Sequence, residues 1–109
     1  MRSASLGGFG IRLAVAAILA LYVSGARAED TKVTIDNFTF SPAELTVKVG
    51  TTVTWSNHDD IPHTVVSAGK FRSKAMDTDG TFSFTFTAAG EYKYFCSLHP
   101  HMTGTIKVE

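Results

Sequence analysis

Apolar and polar residues alternate along most of the chain from residue 32 to its end. The alternating apolar positions are Val33, Ile35, Phe38, Phe40, Leu45, Val47, Val49, Val53, Trp55, Phe82, Phe84, Phe86, Tyr92, Tyr94, Cys96, Ile106 and Val108. A period of two is typical of strands with one buried face, and Gly, Pro, Asn and Asp separate the runs. We therefore predict an all-β fold, an antiparallel sandwich or barrel, with residues 67–80 as its least regular loop.

The first 28 residues do not follow this pattern. Positive charge at Arg2 and Arg12, a short apolar run at residues 11–23 and a small-residue site at Ala26 and Ala28 succeed one another. These features are typical of a secretory signal peptide, here cleaved after Ala28. A membrane anchor is the weaker interpretation, because a spanning helix needs about 20 apolar residues. We expect one domain, residues 29–109, in the periplasm and free of the membrane once the leader is removed.

The predicted domain is small and mildly acidic. Its 81 residues carry seven Lys and Arg against ten Asp and Glu, a formal charge of −3. That balance argues against nucleic acid as a partner. Cys96 is the only cysteine, so no internal disulfide is possible. Small exported domains without disulfides are often stabilised by a metal, and ligation would also protect the thiol.

The chemistry concentrates near the C-terminus. Cys96, His99 and Met102 follow one another at intervals of three residues, and His63 lies in an alternating segment far upstream. One thiolate, two imidazoles and one thioether form a donor set that favours copper, and His₂Cys with a weak axial Met is the arrangement of blue-copper electron-transfer sites. Zinc is chemically possible, but a thioether is a poor zinc ligand.

These segments resemble the cupredoxins, and within them the amicyanin-like group with a short ligand loop. The similarity runs over residues 32–109. Its specific parts are Trp55-Ser56-Asn57, Pro62-His63-Thr64-Val65, residues 90–96, and the segment from Cys96 to Met102 followed by Thr103-Gly104. The resemblance implies a single Greek-key β-sandwich of about eight strands. It also implies one type 1 copper ion per chain, held by His63, Cys96, His99 and Met102.

Two further residues are expected to act on the copper site. The resemblance implies that Asn57 forms hydrogen bonds between the ligand loops and supports the thiolate. Amicyanins carry proline where this chain has Leu98. We expect the Leu98 N–H to donate to the Cys96 sulfur and so to lower the reduction potential. Amicyanins also carry an aromatic residue where this chain has His101, which we expect at the surface.

The function expected from the donor set and the resemblance is that of a monomeric, non-enzymatic carrier of single electrons. Family analogy suggests redox protein partners, such as an exported dehydrogenase or oxidase and a c-type cytochrome. These partners are expected to dock near His99, Pro100 and His101, within an apolar patch that also includes Ile61, Pro62 and Leu98.

Two other function classes remain open from the sequence. The first is copper binding for storage, delivery or tolerance, although the predicted domain contains only Met76 and Met102 as thioethers. The second is a thiol enzyme, because Cys96, a histidine and Asn57 superficially supply a Cys–His–Asn set. A small sandwich leaves little room for a substrate cleft, and the spacing to Met102 would then be unexplained.

Overall fold

The computed structural model describes residues 30–109; the predicted leader lies outside them. Within the described residues, nine strands form the fold: β1 Asp30–Asp36, β2 Thr39–Ser41, β3 Glu44–Val47, β4 Thr52–Asn57, β5 Val66–Ser67, β6 Phe71–Arg72, β7 Thr81–Thr85, β8 Gly90–Cys96 and β9 His99–Val108. None of the described residues forms a helix that is long and apolar enough to cross a membrane.

The strands form two sheets. One has the order β2-β1-β4-β7 and the other the order β3-β9-β8-β5-β6. The pairs β1–β4 and β3–β9 run parallel, whereas the remaining pairs are antiparallel. The predicted all-β sandwich is therefore confirmed, with nine strands among residues 30–109 in place of about eight, but its sheets are mixed and not purely antiparallel as predicted.

The core lies between the sheets and follows the alternation of the sequence. Strand β4 shows the rule most clearly, because Val53, Trp55 and Asn57 are buried and the residues between them are partly exposed. Trp55 packs against the rings of Phe71, Phe82 and Tyr94 at centroid distances of 5.7, 5.7 and 5.4 Å. These aromatic contacts add to the apolar area buried between the sheets and make this the rigid centre of the domain.

The loop predicted at residues 67–80 is only partly a loop. It contains β6, which pairs with β5, and its Met76 pairs with His63 in an isolated bridge. Such short pairings leave no periodic pattern in a sequence. Met76 itself is buried in the core.

The turn between β1 and β2 also differs from the prediction. Phe38 does not extend the strand alternation but lies with Asn37 at the two central positions of a hairpin, where Asp36 pairs with Thr39. Both residues have positive φ angles, 54° for Asn37 and 59° for Phe38, as a type I′ turn requires. For a residue with a side chain, this left-handed conformation costs about 1–2 kcal/mol of conformational free energy. The Phe38 side chain nevertheless remains 49% exposed.

Candidate metal centre

Three of the four predicted ligands meet at one end of the sandwich. The Sγ atom of Cys96 lies 3.7 Å from Nδ1 of His63 and 3.6 Å from Nδ1 of His99. All three atoms lie within 4.8 Å of one another. Cys96 and His63 are fully buried, whereas His99 is partly exposed. The cluster is therefore shielded on the inner side and reaches the surface through His99.

The β8–β9 connection determines the positions of Cys96 and His99. These residues pair with each other across a two-residue turn formed by Ser97 and Leu98. The next ladder pair joins Phe95 to Thr103, so residues 100–102 are left over as a bulge. Bulges next to functional sites re-aim side chains. Here the bulge brings Met102 back inside, where it is buried and positioned with the other three donors.

His63 comes from the loop between β4 and β5. Its backbone exchanges two hydrogen bonds with Met76, of 3.2 and 2.8 Å. The buried amide of Asn57 donates to the carbonyls of Met76 and Ile61, at 2.9 and 3.0 Å. Asn57 thus holds the loop that carries His63. In the part of the chain that the structure describes, its side chain forms no hydrogen bond to the Cys96–Met102 segment, so the predicted link between the two ligand loops is not present.

Asp59 orients the His63 ring. Its carboxylate lies 2.8 Å from Nε2 of His63 and also accepts the N–H groups of Phe38 and Asn37. The hydrogen bond from the Phe38 N–H lowers the pKa of Asp59 most, whereas burial raises it. With the bonds from Asn37 and His63, the pKa falls from 3.8 to about 2. An ionised carboxylate only accepts hydrogen bonds, so Nε2 of His63 donates. The lone pair on Nδ1 is then free to bind a metal, as in carboxylate–histidine–metal arrangements.

Thr64 is the principal donor to the sulfur. Its N–H lies 3.3 Å and its Oγ1 3.7 Å from Sγ of Cys96. Burial alone would raise the pKa of Cys96, but the hydrogen bonds from Thr64, together with the polar contacts to His63 and His99, outweigh it and lower that pKa from 9.0 to about 6. The thiolate, which is the form that binds metals, is therefore favoured even without an ion.

The donor predicted for the sulfur was Leu98, and the structure places it elsewhere. Leu98 lies at the tip of the two-residue turn with its side chain 51% exposed. Within residues 30–109, its N–H forms no hydrogen bond to Sγ. Thr64 takes that role instead. Its Oγ1 also accepts the Ser97 N–H, at 2.7 Å, and so holds the turn against the His63 loop.

Three supporting residues were not found from the sequence. Asp59 could have been found, because it lies four residues before His63 in the same loop. Thr64 is the neighbour of a ligand, but nothing in its sequence context indicates a contact with Cys96. Phe38 contacts both imidazoles edge-on, with centroid distances of 5.4 Å to His63 and 5.1 Å to His99. Its apolar spacing from Phe40 points to a strand and away from this role.

The residues present fit copper. A buried thiolate, two imidazoles and a thioether combine soft and borderline donors, which favour copper over zinc or the hard cations. A family model described as the cupredoxin-like domain matches residues 11–108. The chain belongs to the cupredoxin-like family.

Individual relatives agree with this membership. The cupredoxin is 38% identical to amicyanin of Paracoccus versutus over 88 residues, covering 75% of this chain and 67% of the relative. It is 34% identical to amicyanin-alpha of Methylorubrum extorquens over 113 residues, covering 98% and 95%. A solved structure of a mutant amicyanin in its Cu(I) form has a TM-score of 0.72 and 35% identity, with 79% of this chain and 88% of that chain covered. This cupredoxin is an amicyanin-like blue-copper electron-transfer protein, and copper is its cofactor.

Proposed function

We propose that this cupredoxin is an exported carrier that moves single electrons between redox proteins of the periplasm. The observation that supports the proposal is that protein groups hold the donor atoms close together. Nδ1 of His63, Sγ of Cys96 and Nδ1 of His99 are each held by backbone pairing or hydrogen bonds that need no ion. A site whose ligands are already in place moves little when its metal gains or loses an electron. Such low reorganisation favours rapid electron transfer.

The ligand roles belong to the proposal. His63, Cys96 and His99 form the strong donor set, and Met102 is the weak fourth ligand. Copper supplies the one-electron couple between Cu(I) and Cu(II) when bound. The chain contributes the rest: Asp59 orients His63, Thr64 donates to the thiolate, and Asn57 holds the His63 loop.

Electrons enter and leave through His99 in this proposal. Of the two candidate imidazole ligands, His63 is buried and His99 is partly exposed, and Leu98, Pro100 and His101 beside His99 are exposed. A small apolar surface of this kind suits a transient redox encounter. We expect the patch of Ile61, Pro62, Leu98, Pro100 and His101 to meet the partner. Leu98→Asp is then expected to slow reduction by the partner and to leave the copper spectrum unchanged.

An enzymatic role is disfavoured by burial. Cys96, His63 and Asp59 form a hydrogen-bonded chain that resembles a thiol-enzyme triad. However, Cys96 is 0% exposed, so a substrate has no access to its sulfur. The Asn57 amide is also bound to backbone carbonyls, which removes it from the Cys–His–Asn set considered from the sequence.

A Cu(II) titration followed by visible absorption and electron paramagnetic resonance tests the proposed site. We expect an intense thiolate-to-copper band that saturates at one equivalent, with narrow hyperfine splitting. A pale tetragonal species would show that the four donors do not bind together. The electron self-exchange rate then separates the two copper functions. Fast exchange supports a carrier, whereas slow exchange with ready Cu(I) transfer to a chelator would indicate copper delivery or storage.

A further inference from the structure

Phe38 occupies a position that suits another residue better. The second central position of a type I′ turn favours glycine, and Asn-Gly is the preferred pair for such hairpins. Here Asn37 is followed by a large aromatic residue at a φ angle of 59°. Strained backbone of this kind persists only where the surroundings hold it, and it is concentrated at functional sites.

One carboxylate holds this turn and the metal centre together. Asp59 accepts the N–H of Phe38 at 2.9 Å, accepts the N–H of Asn37, and receives Nε2 of His63 at 2.8 Å. The Asp59 side chain is only 11% exposed. The orientation of the turn is therefore tied to that of the first candidate ligand.

The ring of Phe38 contacts both imidazoles. It lies edge-on to His63, at an interplanar angle of 84°, and edge-on to His99, at 88°. The two imidazole rings are 4.9 Å apart. Edge-to-face pairs at such distances are attractive beyond the area they bury. Phe38 is the aromatic residue that contacts both rings among those described.

We propose that Phe38 is a positioning residue: its ring holds the imidazoles of His63 and His99 together and closes the metal centre to water and competing ligands. This placement strains the backbone of the turn, and the hydrogen bonds to Asp59 hold the turn in that conformation. The inference rests on the ligand roles proposed above. It adds that the outer surface of the site is built from a hairpin that contributes no ligand.

The test separates the ring from the backbone. Phe38→Gly and Phe38→Asn remove the ring and relieve the strain, whereas Phe38→Tyr keeps the ring. Val49→Ala is a matched control, because Val49 is also a large exposed apolar residue, at 47%. It lies after β3 and makes none of the ring contacts at the metal centre.

In the metal-free protein, we expect the urea midpoint of Phe38→Gly to equal or exceed that of the wild type. The imidazole resonances of His63 and His99 should broaden in both ring-less variants and remain sharp in Phe38→Tyr and Val49→Ala. In the copper-loaded protein, release to excess chelator should be about tenfold faster in both ring-less variants, the rate factor that corresponds to one aromatic pair.

Two results would overturn the inference. One is unchanged imidazole resonances together with unchanged copper release in both ring-less variants. The other is a lower urea midpoint in both, which would mean that the ring supports the fold and not the site. If the wild type forms no type 1 centre, the proposed function fails. The resonances of the metal-free variants then still decide the positioning role.

Discussion

At the scale of the residue, Thr64 connects the two segments that supply the ligands. Its Oγ1 accepts the Ser97 N–H at 2.7 Å and lies 2.8 Å from Ser97 Oγ. Thr64→Val is isosteric but leaves the Ser97 N–H without that acceptor. We expect a loss of about 1–3 kcal/mol in the free energy of unfolding, measured by urea denaturation of the metal-free protein.

The same variant should also raise the pKa of Cys96, because the Oγ1 donor to the thiolate is lost while the Thr64 N–H remains. Thiolate absorbance in the ultraviolet measures this pKa. Thr54→Val is the matched control, since it removes a 2.7 Å hydrogen bond to Ser83 on the exposed face of the sheet. A pKa that moves equally in both variants, or in neither, would contradict a local role for Thr64.

Asp59 is the residue through which the His63 ring is oriented. In Asp59→Asn the amide presents an N–H₂ group or a weaker acceptor to Nε2, so the tautomer that frees Nδ1 is no longer enforced. Loss of such an outer hydrogen bond typically weakens metal affinity by about 10–100-fold. We expect this loss in chelator competition. Asp60→Asn changes the charge by the same amount at an exposed neighbour and should leave the affinity unchanged.

At the scale of the element, β8 and β9 approach closely where Tyr94 faces Gly104. A Cβ atom at Gly104 would collide with the Tyr94 ring and hydroxyl. The ring is buried and packs on Phe40 and Trp55, so it has no space into which to move. The glycine is therefore required by this close packing of a ring on the neighbouring strand.

Gly104→Ala should accordingly destabilise the metal-free protein by at least about 1–3 kcal/mol, the usual range for an overfilled core. Thermal or urea unfolding measures it. Thr103→Ala, at the exposed neighbouring position of β9, should stay within about 0.5 kcal/mol. Equal effects in the two variants would mean that strand propensity, and not the contact with Tyr94, decides the outcome.

The elements differ in how far the sequence predicts them. Strand β4 was predictable because Val53 and Trp55 alternate with polar residues over a full strand length. Strands β5 and β6 have two residues each, too few for a period to appear. Phe38 was misassigned for a different reason. Its conformation is held by Asp59, 21 residues away, and a contact of that range leaves no trace in the local pattern.

At the scale of the whole molecule, the metal centre is assembled by the sandwich. The core packs around Trp55, Tyr94 and Phe86. The ligand side chains and their loops are held by hydrogen bonds to other protein groups. We expect removal of copper to leave the fold intact. Dispersed amide resonances and a cooperative urea transition of the metal-free protein would agree with this. Collapse of the amide dispersion on chelation would contradict it.

The ligands themselves were predictable, whereas the residues that support them were largely not. Cys96, His99 and Met102 lie within seven residues, so their spacing alone indicates a metal site. Thr64 meets Cys96 across 32 positions of the chain, and this contact exists only because the loop after β4 packs against the end of β8. Three of the four donors are thus set by local sequence, whereas the arrival of His63 and the rigidity of the site depend on tertiary structure.

The two-residue turn that joins Cys96 to His99 also has a consequence for folding. Because three donors lie within one short segment, they remain near each other in the unfolded chain, which can therefore capture copper before His63 arrives. A ligand that binds both the folded and the unfolded state stabilises only by the difference in its two affinities. The contribution of copper to stability is then set by what His63 and the closed sandwich add to a partial site that the unfolded chain already possesses.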